Sequence, residues 1–305
     1  MNCGGSGWPV IEHPRSAASQ PNTSTHSGHS SNGVETDVTF LFWDVARREA
    51  SETIAALAHS LNADVIILAE NEEGIASILA TLNPVGTAAY HYISPPVQAS
   101  AVQLYTKFPT AFITPVGEQG RTTLWHIEMP GQISFLLGAL HLPSKLWKDE
   151  LEQAEIAGEI SRFIRLHEDR IGHDRTVLVG DFNMNPFERG ILTAYAFNAV
   201  MTRQDALKAS RSVNGSPRPF FFNPMWSLFH DGEAGPPGTF HHSSPSHLSI
   251  YWHMFDQVLL RPSLLSRFNN SSLRIVTACK NDSLVDEQGK PLASDHLPLT
   301  FALEL

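Results

Sequence analysis

Acidic side chains stand where apolar runs end along this 305-residue sequence, and such positions suit catalysis. Asp44 closes the run Phe40–Trp43, and Glu70 closes the aliphatic run Val65–Ala69. An ionisable group at the margin of a buried strand is held rigidly and is partly desolvated, which a catalytic group requires. The same pattern recurs later in the chain.

Four further apolar runs are bordered by carboxylate, amide or imidazole side chains: His141 after Phe135–Leu140, Asp181 and Asn183 after Val177–Gly180, Asp256 before Val258–Leu260, and Asp295 with His296 before Leu297–Leu299. Asp181 and Asn183 are two residues apart, so in an extended chain their side chains point the same way. A single aspartate at a strand end is most often a turn former or a helix cap. Six such placements in one chain favour a common site.

The elements that carry these residues predict an α/β fold with sheets packed between helical layers. Apolar periodicity indicates a helix near Ile54–Leu61. It also indicates an amphipathic helix of about five turns, marked by Trp147, Leu151, Ala154, Ala157, Ile160 and Ile164. The near-continuous run Asp64–Ala69 is typical of a strand buried on both faces. Gly and Pro punctuate several strand-like runs between Ala88 and Leu142, which indicates antiparallel pairing through short turns.

The first 36 residues differ from the rest in composition. They are rich in Ser, Gly, Pro, Asn and His, and Trp8 is their sole aromatic residue. Such a segment cannot bury enough apolar surface to offset its ordering entropy, so we predict a disordered tail over residues 1–36. The folded domain is then predicted over residues 37–305.

Composition and charge narrow the function classes. The net charge of −10 argues against a basic surface that grips nucleic acid through phosphate contacts alone. It does not exclude a nucleic-acid enzyme whose site brings its own cation. No apolar run is long enough to cross a bilayer, and no secretory signal is visible. With only two cysteines in the chain, a reducing, cytoplasmic location is expected.

Six short motifs, taken in order, resemble the endonuclease/exonuclease/phosphatase superfamily: Phe42-Trp43-Asp44-Val45, Leu68-Ala69-Glu70, Ala139-Leu140-His141-Leu142-Pro143-Ser144, Gly180-Asp181-Phe182-Asn183, Phe255-Asp256-Gln257-Val258-Leu259 and Ser294-Asp295-His296-Leu297-Pro298. That superfamily includes pancreatic-type deoxyribonucleases, abasic-site endonucleases, inositol polyphosphate 5-phosphatases and neutral sphingomyelinases. The resemblance spans about residues 38–305. The fourth and sixth motifs are specific together, although either alone would be weak.

This resemblance implies a four-layer α/β sandwich, two mixed β-sheets flanked by helices, and a phosphate-ester hydrolase that needs Mg²⁺ or Mn²⁺. Carried over by position, it implies these roles: Glu70 as the principal metal ligand, Asp295 as a second acidic metal contact, Asp181 as the residue that orients or deprotonates water, Asn183 as a contact to substrate phosphate or nucleophile, Asp256 and His296 as a carboxylate–imidazole pair, and His141 as a phosphate-binding or leaving-group residue.

Elementary chemistry agrees with these roles. A phosphodiester is anionic and repels a nucleophile, so a bound cation must neutralise charge and polarise the phosphoryl oxygens. Mg²⁺ takes oxygen ligands and keeps several waters, so one or two carboxylates suffice to hold it. If Asp256 hydrogen-bonds the His296 ring, it favours the protonated ring, which is then a cationic donor to the phosphate.

Asp44 departs from the superfamily pattern, which carries asparagine in the first motif. The aspartate adds a negative charge beside Glu70 and Asp295. It either tightens the metal site or admits a second ion, or else it marks a weakened or repurposed site. We favour a working site in which Asp44 is a further metal ligand, because the other motif positions are intact.

Residues 210–251 form a Pro-, Gly-, Ser-, His- and Phe-rich stretch without clear periodicity, which predicts a long loop. The stretch could be a substrate lid, or its aromatic residues Phe220–Phe222 and Trp226 could anchor it to the core. We favour the anchor. Arg211 and Arg218 are the better candidates for substrate contact.

Taken together, the sequence favours a phosphodiesterase or nuclease that acts on a phosphate-ester substrate, with nucleic acid as one candidate. Two alternatives remain open. One is a phosphatase of a soluble or lipid-derived phosphomonoester. The other is a binding or regulatory protein of the same fold whose catalysis Asp44 has weakened.

Overall fold

The computed structural model describes residues 37–84, 90–97, 100–231, 235–243, 250–280 and 282–305. The tail predicted over residues 1–36 lies outside them. The α-helices of the described residues are α1 (Ser51–Ser60), α2 (Ile75–Leu82), α3 (Glu150–Ile171), α4 (Arg189–Leu192) and α5 (Arg203–Ala206). None of these helices is long and apolar enough to cross a membrane.

The strands of the same residues are β1 (Asp37–Asp44), β2 (Val65–Ala69), β3 (His91–Ile93), β4 (Val102–Thr106), β5 (Ile113–Gln119), β6 (Thr122–Ile127), β7 (Phe135–His141), β8 (Thr176–Asp181), β9 (Ala199–Val200), β10 (Ser210–Val213), β11 (Ser216–Pro219), β12 (Phe221–Phe222), β13 (Phe240–His241), β14 (Trp252–His253), β15 (Asp256–Leu260), β16 (Arg274–Ile275), β17 (Ala278–Cys279), β18 (Asp282–Ser283) and β19 (Leu299–Glu304). Thirteen of them form two large sheets, of six and seven strands.

The first sheet has the strand order β16–β19–β1–β2–β4–β3. Its strands β1 and β2 are parallel and are connected through α1, whereas the other neighbours are antiparallel. The parallel register sets Asp44 opposite Ala69. Asp44 and Glu70, the residue after Ala69, therefore come out at the same edge of this sheet.

The second sheet has the strand order β5–β6–β7–β8–β15–β12–β9. Strands β7 and β8 are parallel and are connected through α3, and β15 runs antiparallel to β8. The register sets both His141 and Asp256 opposite Asp181. One row of three neighbouring strands thus carries an imidazole and two carboxylates.

The core lies in three apolar layers. One layer fills the space between the sheets, where the ring of Phe40 stacks on Phe301 at 4.7 Å and meets the edge of Phe135 at 6.3 Å. A second layer joins the outer face of the first sheet to α1 and α2, and a third joins the second sheet to α3. These layers confirm the expected four-layer α/β sandwich of two mixed sheets between helices.

Helix α3 begins later than the apolar pattern suggests. The side chain of Asp149 accepts hydrogen bonds from the backbone N–H groups of Leu151 and Glu152, and Glu152 accepts one from Asp149 N, which is a capping box. Trp147 lies before this cap and is 80% exposed. The prediction that Trp147 is part of this helix was therefore wrong, because the cap and not the first apolar residue sets the start of the helix.

The stretch 210–251 is more regular than predicted where the structure describes it. Strands β10 and β11 form a hairpin, and β12 inserts into the second sheet between β15 and β9. Phe220, Phe221 and Phe222 are buried, which confirms that these three aromatic residues anchor the stretch, whereas Trp226 is only half-buried. A two-residue strand has no readable periodicity, which is why the sequence pattern missed it. Residues 232–234 and 244–249 lie outside the described residues.

Candidate active site

The imidazole of His141 is the centre of a cluster of carboxylates at one edge of the two sheets. Its Nε2 lies 3.6 Å from Glu70 Oε1, 3.6 Å from Asp181 Oδ2 and 3.9 Å from Asp44 Oδ2. Asp44 ends strand β1 of the first sheet and Glu70 directly follows its strand β2, whereas His141 and Asp181 end strands of the second sheet. Four predicted site residues are thus brought together by the packing of one sheet on the other.

Asn183 orients the carboxylate of Asp181. Asp181 Oδ1 accepts a hydrogen bond from the backbone N–H of Asn183 at 2.7 Å, and Asp181 Oδ2 accepts one from the Asn183 side-chain amide. The same amide donates to Leu142 O at 2.9 Å. Asn183 has a φ of 51°, in the left-handed region that asparagine tolerates best among residues with side chains. The two-residue spacing seen in the sequence therefore serves a tight turn that holds the carboxylate.

The predicted carboxylate–imidazole pair is formed. His296 Nδ1 and Asp256 Oδ2 are 2.8 Å apart, and both side chains are buried. The ring of Phe240 packs on His296 with its centroid 4.6 Å away. Ser294 Oγ donates to Asp44 O at 2.8 Å and accepts from His296 N at 3.1 Å, so it links the end of β1 to the imidazole.

Burial and crowding raise the proton affinity of two carboxylates here. Burial raises the pKa of Asp44 to about 6, against the opposing charge of His296 and with support from Asp256 and Glu70. Burial also raises the pKa of Asp181 well above its usual value, with His296 again opposing and Asp256 and Asp44 adding to the rise. Loss of hydration is therefore the main reason why a negative charge on either carboxylate is costly in this site.

The two histidines are shifted in opposite directions. Burial disfavours a charge on His296, but the Asp256 carboxylate and its hydrogen bond, with Asp44 and Asp181, raise the pKa of His296 well above its usual value. For His141, burial and then the positive charge of Arg121 lower the pKa to about 3. The site therefore holds one charged and one neutral imidazole at neutral pH.

The donor set fits a hard divalent cation. Asp44, His141 and Asp181 each offer one ligand atom, and these atoms lie within 4.8 Å of one another. The carboxylate of Glu70 faces the same ring nitrogen. Carboxylate oxygens are the ligands that Mg²⁺ and Mn²⁺ prefer. The raised pKa values of Asp44 and Asp181 show that their ionisation is costly in the buried site, and a bound cation would offset that cost.

Within the described residues, three predicted contacts make no hydrogen bond or ion pair with the side chains of this cluster. Asp295 is exposed, and its carboxylate has Ser294 Oγ at 3.5 Å as its neighbour. Arg211 donates to Leu192 O at 2.7 Å, and the guanidinium of Arg218 lies over the ring of Tyr195 at 4.2 Å. The metal role of Asp295 and the substrate role of the arginines stay predictions.

Arg121 belongs to the site although no sequence pattern indicated it. It lies at the turn between β5 and β6 and contacts the backbone and the ring of His141. With Arg47, Glu70, Gln103 and His141 it lines a cavity of about 170 Å³. The sequence did not indicate Arg121 as a site residue, because an arginine in a Gly-Arg turn is common at the solvated tip of a hairpin.

Comparisons with known proteins support the fold. No protein-family model matches the chain, and no curated protein matches it in sequence. Among solved structures, TDP2 from D. rerio, complexed with a single-strand DNA product, is 11% identical, with a TM-score of 0.53 over 89% of this chain and 100% of its own.

Two bacterial endonuclease/exonuclease/phosphatase family proteins are also similar. The protein from Leptotrichia buccalis is 16% identical, with a TM-score of 0.52 over 88% of this chain and 100% of its own. The protein from Bacteroides thetaiotaomicron is 12% identical, with a TM-score of 0.52 over 88% of this chain and 98% of its own. The chain therefore has the fold of the endonuclease/exonuclease/phosphatase superfamily.

Proposed function

We propose that this protein is a divalent-metal-dependent phosphoesterase, and specifically a phosphodiesterase or nuclease. The observation that carries the proposal is the convergence of three carboxylates within 3.9 Å of His141 Nε2. A charged His296–Asp256 pair lies at the same edge of the sheets. Carboxylates for a cation, a buried base and a cationic donor are the groups that in-line hydrolysis of an anionic ester requires.

Each residue has a part in the proposed reaction. Asp44 and Glu70, with Asp295 as a further contact, would hold Mg²⁺ or Mn²⁺, which supplies charge neutralisation and polarisation of the phosphoryl oxygens. Asp181, oriented by Asn183, positions the attacking water and accepts its proton, which a raised pKa favours.

The two histidines act on the phosphate. His296, kept protonated by Asp256, donates to a phosphoryl oxygen as negative charge develops in the transition state. His141 assists at the phosphate or at the departing oxygen, since its ring lies among the carboxylates. No cysteine takes part in this scheme.

Nucleic acid is the substrate class that we propose first, because the similar D. rerio TDP2 carries a single-strand DNA product in its structure. The phosphomonoesterase alternative draws on the guanidinium groups of Arg47 and Arg121, which line the cavity beside Glu70 and His141. A monoester carries the additional negative charge that such groups would balance.

We also propose that residues 37–305 form the functional domain, since residues 35–305 group as one compact unit. The scarcity of cysteines supports a cytoplasmic location, and the described cysteine Cys279 is unpaired and buried.

Hydrolysis of bis(p-nitrophenyl) phosphate and of p-nitrophenyl phosphate by the pure protein tests the proposal. The assays are run with Mg²⁺, with Mn²⁺ and with chelator, beside Asp181→Asn and the matched variant Asp169→Asn, which changes an exposed aspartate on α3. We expect diester turnover that needs metal, disappears in Asp181→Asn and persists in Asp169→Asn. Turnover that chelator and Asp181→Asn both leave unchanged would contradict it.

A further inference from the structure

Arg121 and His141 are joined by three hydrogen bonds. The backbone N–H of His141 donates to Arg121 O at 3.2 Å, and Arg121 Nε donates to His141 O at 2.6 Å. Arg121 Nη2 lies 2.8 Å from His141 Nδ1. The arginine thus contacts the backbone and the ring of the same residue, which restricts both its own side chain and the imidazole.

The chemistry of the guanidinium decides which ring nitrogen carries the proton. Arginine has only donors and stays charged in proteins, so a ring nitrogen beside it must accept. His141 Nδ1 is therefore the acceptor, and in a neutral imidazole the proton then resides on Nε2. This nitrogen is the one that faces Asp44, Glu70 and Asp181.

We infer that Arg121 is a positioning residue that locks His141 as the Nε2–H tautomer, so that His141 is a hydrogen-bond donor in the site and not a metal ligand. The three carboxylate oxygens lie 3.6 to 3.9 Å from Nε2, beyond the length of a hydrogen bond. This N–H group is therefore available to an incoming oxygen. The inference rests on the proposed function for its catalytic meaning, but the tautomer itself does not.

The local fold explains how the guanidinium is held in place. Gly120 and Arg121 have φ angles of 58° and 63°, so both adopt the left-handed conformation of a tight hairpin turn. A side chain at Gly120 would meet Ile160 of α3 at 3.1 Å. The turn is therefore pressed against the helix, and Arg121 is carried back over the end of β7, the neighbouring strand of β6.

This tautomer excludes His141 from the group of residues that could hold a metal ion. Asp44, His141 and Asp181 have the spacing of a metal-binding group, but a protonated nitrogen has no lone pair to give. The cation would be held by carboxylate oxygens alone, which is the set that Mg²⁺ and Mn²⁺ prefer. Metal affinity should then be insensitive to the loss of the His141 ring.

The test is nuclear magnetic resonance of protein with ¹⁵N-labelled histidine rings, read through long-range ¹H–¹⁵N correlations and assigned with His141→Asn. In the native protein without metal, we expect the His141 Nδ1 signal to be that of an unprotonated nitrogen and the Nε2 signal that of a protonated one. In Arg121→Ala both signals should move towards their common average. Arg121→Lys keeps a charged donor but lacks the planar, forked guanidinium, so its His141 ring signals should lie between those of the native protein and Arg121→Ala.

Arg47→Ala is the matched control, because Arg47 lines the same cavity and contacts Glu70 but not His141. It should leave the His141 ring signals unchanged. On the diester, Arg121→Ala should lower kcat about 10- to 100-fold with little change in KM, since outer-shell partners that fix ring orientation have effects of that size. Mg²⁺ affinity measured by calorimetry should stay within about 2-fold in His141→Asn, which corresponds to a change of about 0.4 kcal/mol in binding free energy.

A proton on Nδ1 in the native protein, or native ring signals in Arg121→Ala, would overturn the inference. The ring signals of the native protein and of Arg121→Lys are each interpreted without Arg121→Ala. The test therefore remains decisive if Arg121→Ala fails to fold. The expected ring signals in a protein that hydrolyses neither ester would sink the proposed function and leave the tautomer standing. Turnover that depends on Asp181, together with a proton on His141 Nδ1, would support the proposed function and overturn the tautomer.

Discussion

The imidazole of His296 and the carboxylate of Asp256 join the two sheets, with His296 Nδ1 2.8 Å from Asp256 Oδ2. Asp256 begins β15 in the second sheet, and His296 lies just before β19 in the first. Both side chains are buried, so the pair holds the sheet edges together and also keeps the imidazole charged. Structural and chemical roles therefore coincide in one contact.

The His296–Asp256 pair should make stability depend on pH. The pKa of His296 is raised in the folded protein, so its contribution is fully present below the unfolded value near 6.5 and is lost as pH rises through the folded value. We expect His296→Gln to lower the free energy of unfolding by roughly 3 kcal/mol at pH 6 and by clearly less at pH 9.5. Urea unfolding of the metal-free proteins measures both, and an equal loss at the two pH values would contradict the prediction.

Replacing the unusual aspartate should stabilise the metal-free protein. The pKa of Asp44 is raised to about 6, so its ionisation opposes folding increasingly as pH rises from about 4 and fully above about 6. Asp44→Asn keeps the oxygen that accepts from Ala46 N and removes the charge. We expect a gain of about 1–3 kcal/mol at pH 8 and a smaller gain at pH 5.

Bound Mg²⁺ should reverse the order of stability of the native protein and Asp44→Asn. If Asp44 is a ligand, Mg²⁺ raises the Tm of the native protein more than that of Asp44→Asn, because a ligand that binds the folded state stabilises it by mass action. A thermal scan with and without Mg²⁺ reads this difference. Equal Mg²⁺-induced shifts in the Tm of the two proteins would show that Asp44 is not a metal ligand. A large gain in turnover in Asp44→Asn, from a near-zero rate in the native protein, would favour the alternative of a weakened site.

Asn183 should matter for catalysis more than for stability. Asn183→Gly removes the amide that orients Asp181 while keeping the left-handed φ of 51° accessible. We expect kcat on the diester to fall about 10- to 100-fold, as for other groups that orient a reacting side chain. Asn183→Ala tests the backbone separately, since it adds about 1–2 kcal/mol of strain in the same conformation. Native kcat in both variants would contradict the orienting role.

A buried ion pair far along α3 should be purely structural. Arg261 is 1% exposed, and its guanidinium donates to both carboxylate oxygens of Glu168 at 2.8 and 3.0 Å. Glu168→Ala leaves an uncompensated buried charge, which costs about 3–5 kcal/mol. Glu159→Ala, an exposed glutamate on the same helix, should change the free energy of unfolding by less than about 0.5 kcal/mol. Denaturant unfolding of the two variants gives the comparison.

Local pattern predicted most of the elements and all the strand ends that carry the cluster. Near-continuous apolar runs mark β1, β2, β7 and β8, because a strand that is buried on both faces carries apolar residues at nearly every position. The start of α3 was misplaced at Trp147, since apolar periodicity continues through a turn that the Asp149 cap excludes from the helix. Strand β12 was missed because two residues carry no period.

The contacts within the cluster could not be read from the chain. Asp44 and Asp181 stand in motifs far apart in sequence, and their approach to one imidazole depends on how one sheet packs on the other. The shifted pKa values depend on the same burial, which no motif encodes. Arg121 shows this most clearly. Its residue type and its place in a Gly-Arg turn can be read from the sequence, because both are local. Its contact with His141 is long-range and exists only after the hairpin folds back on β7.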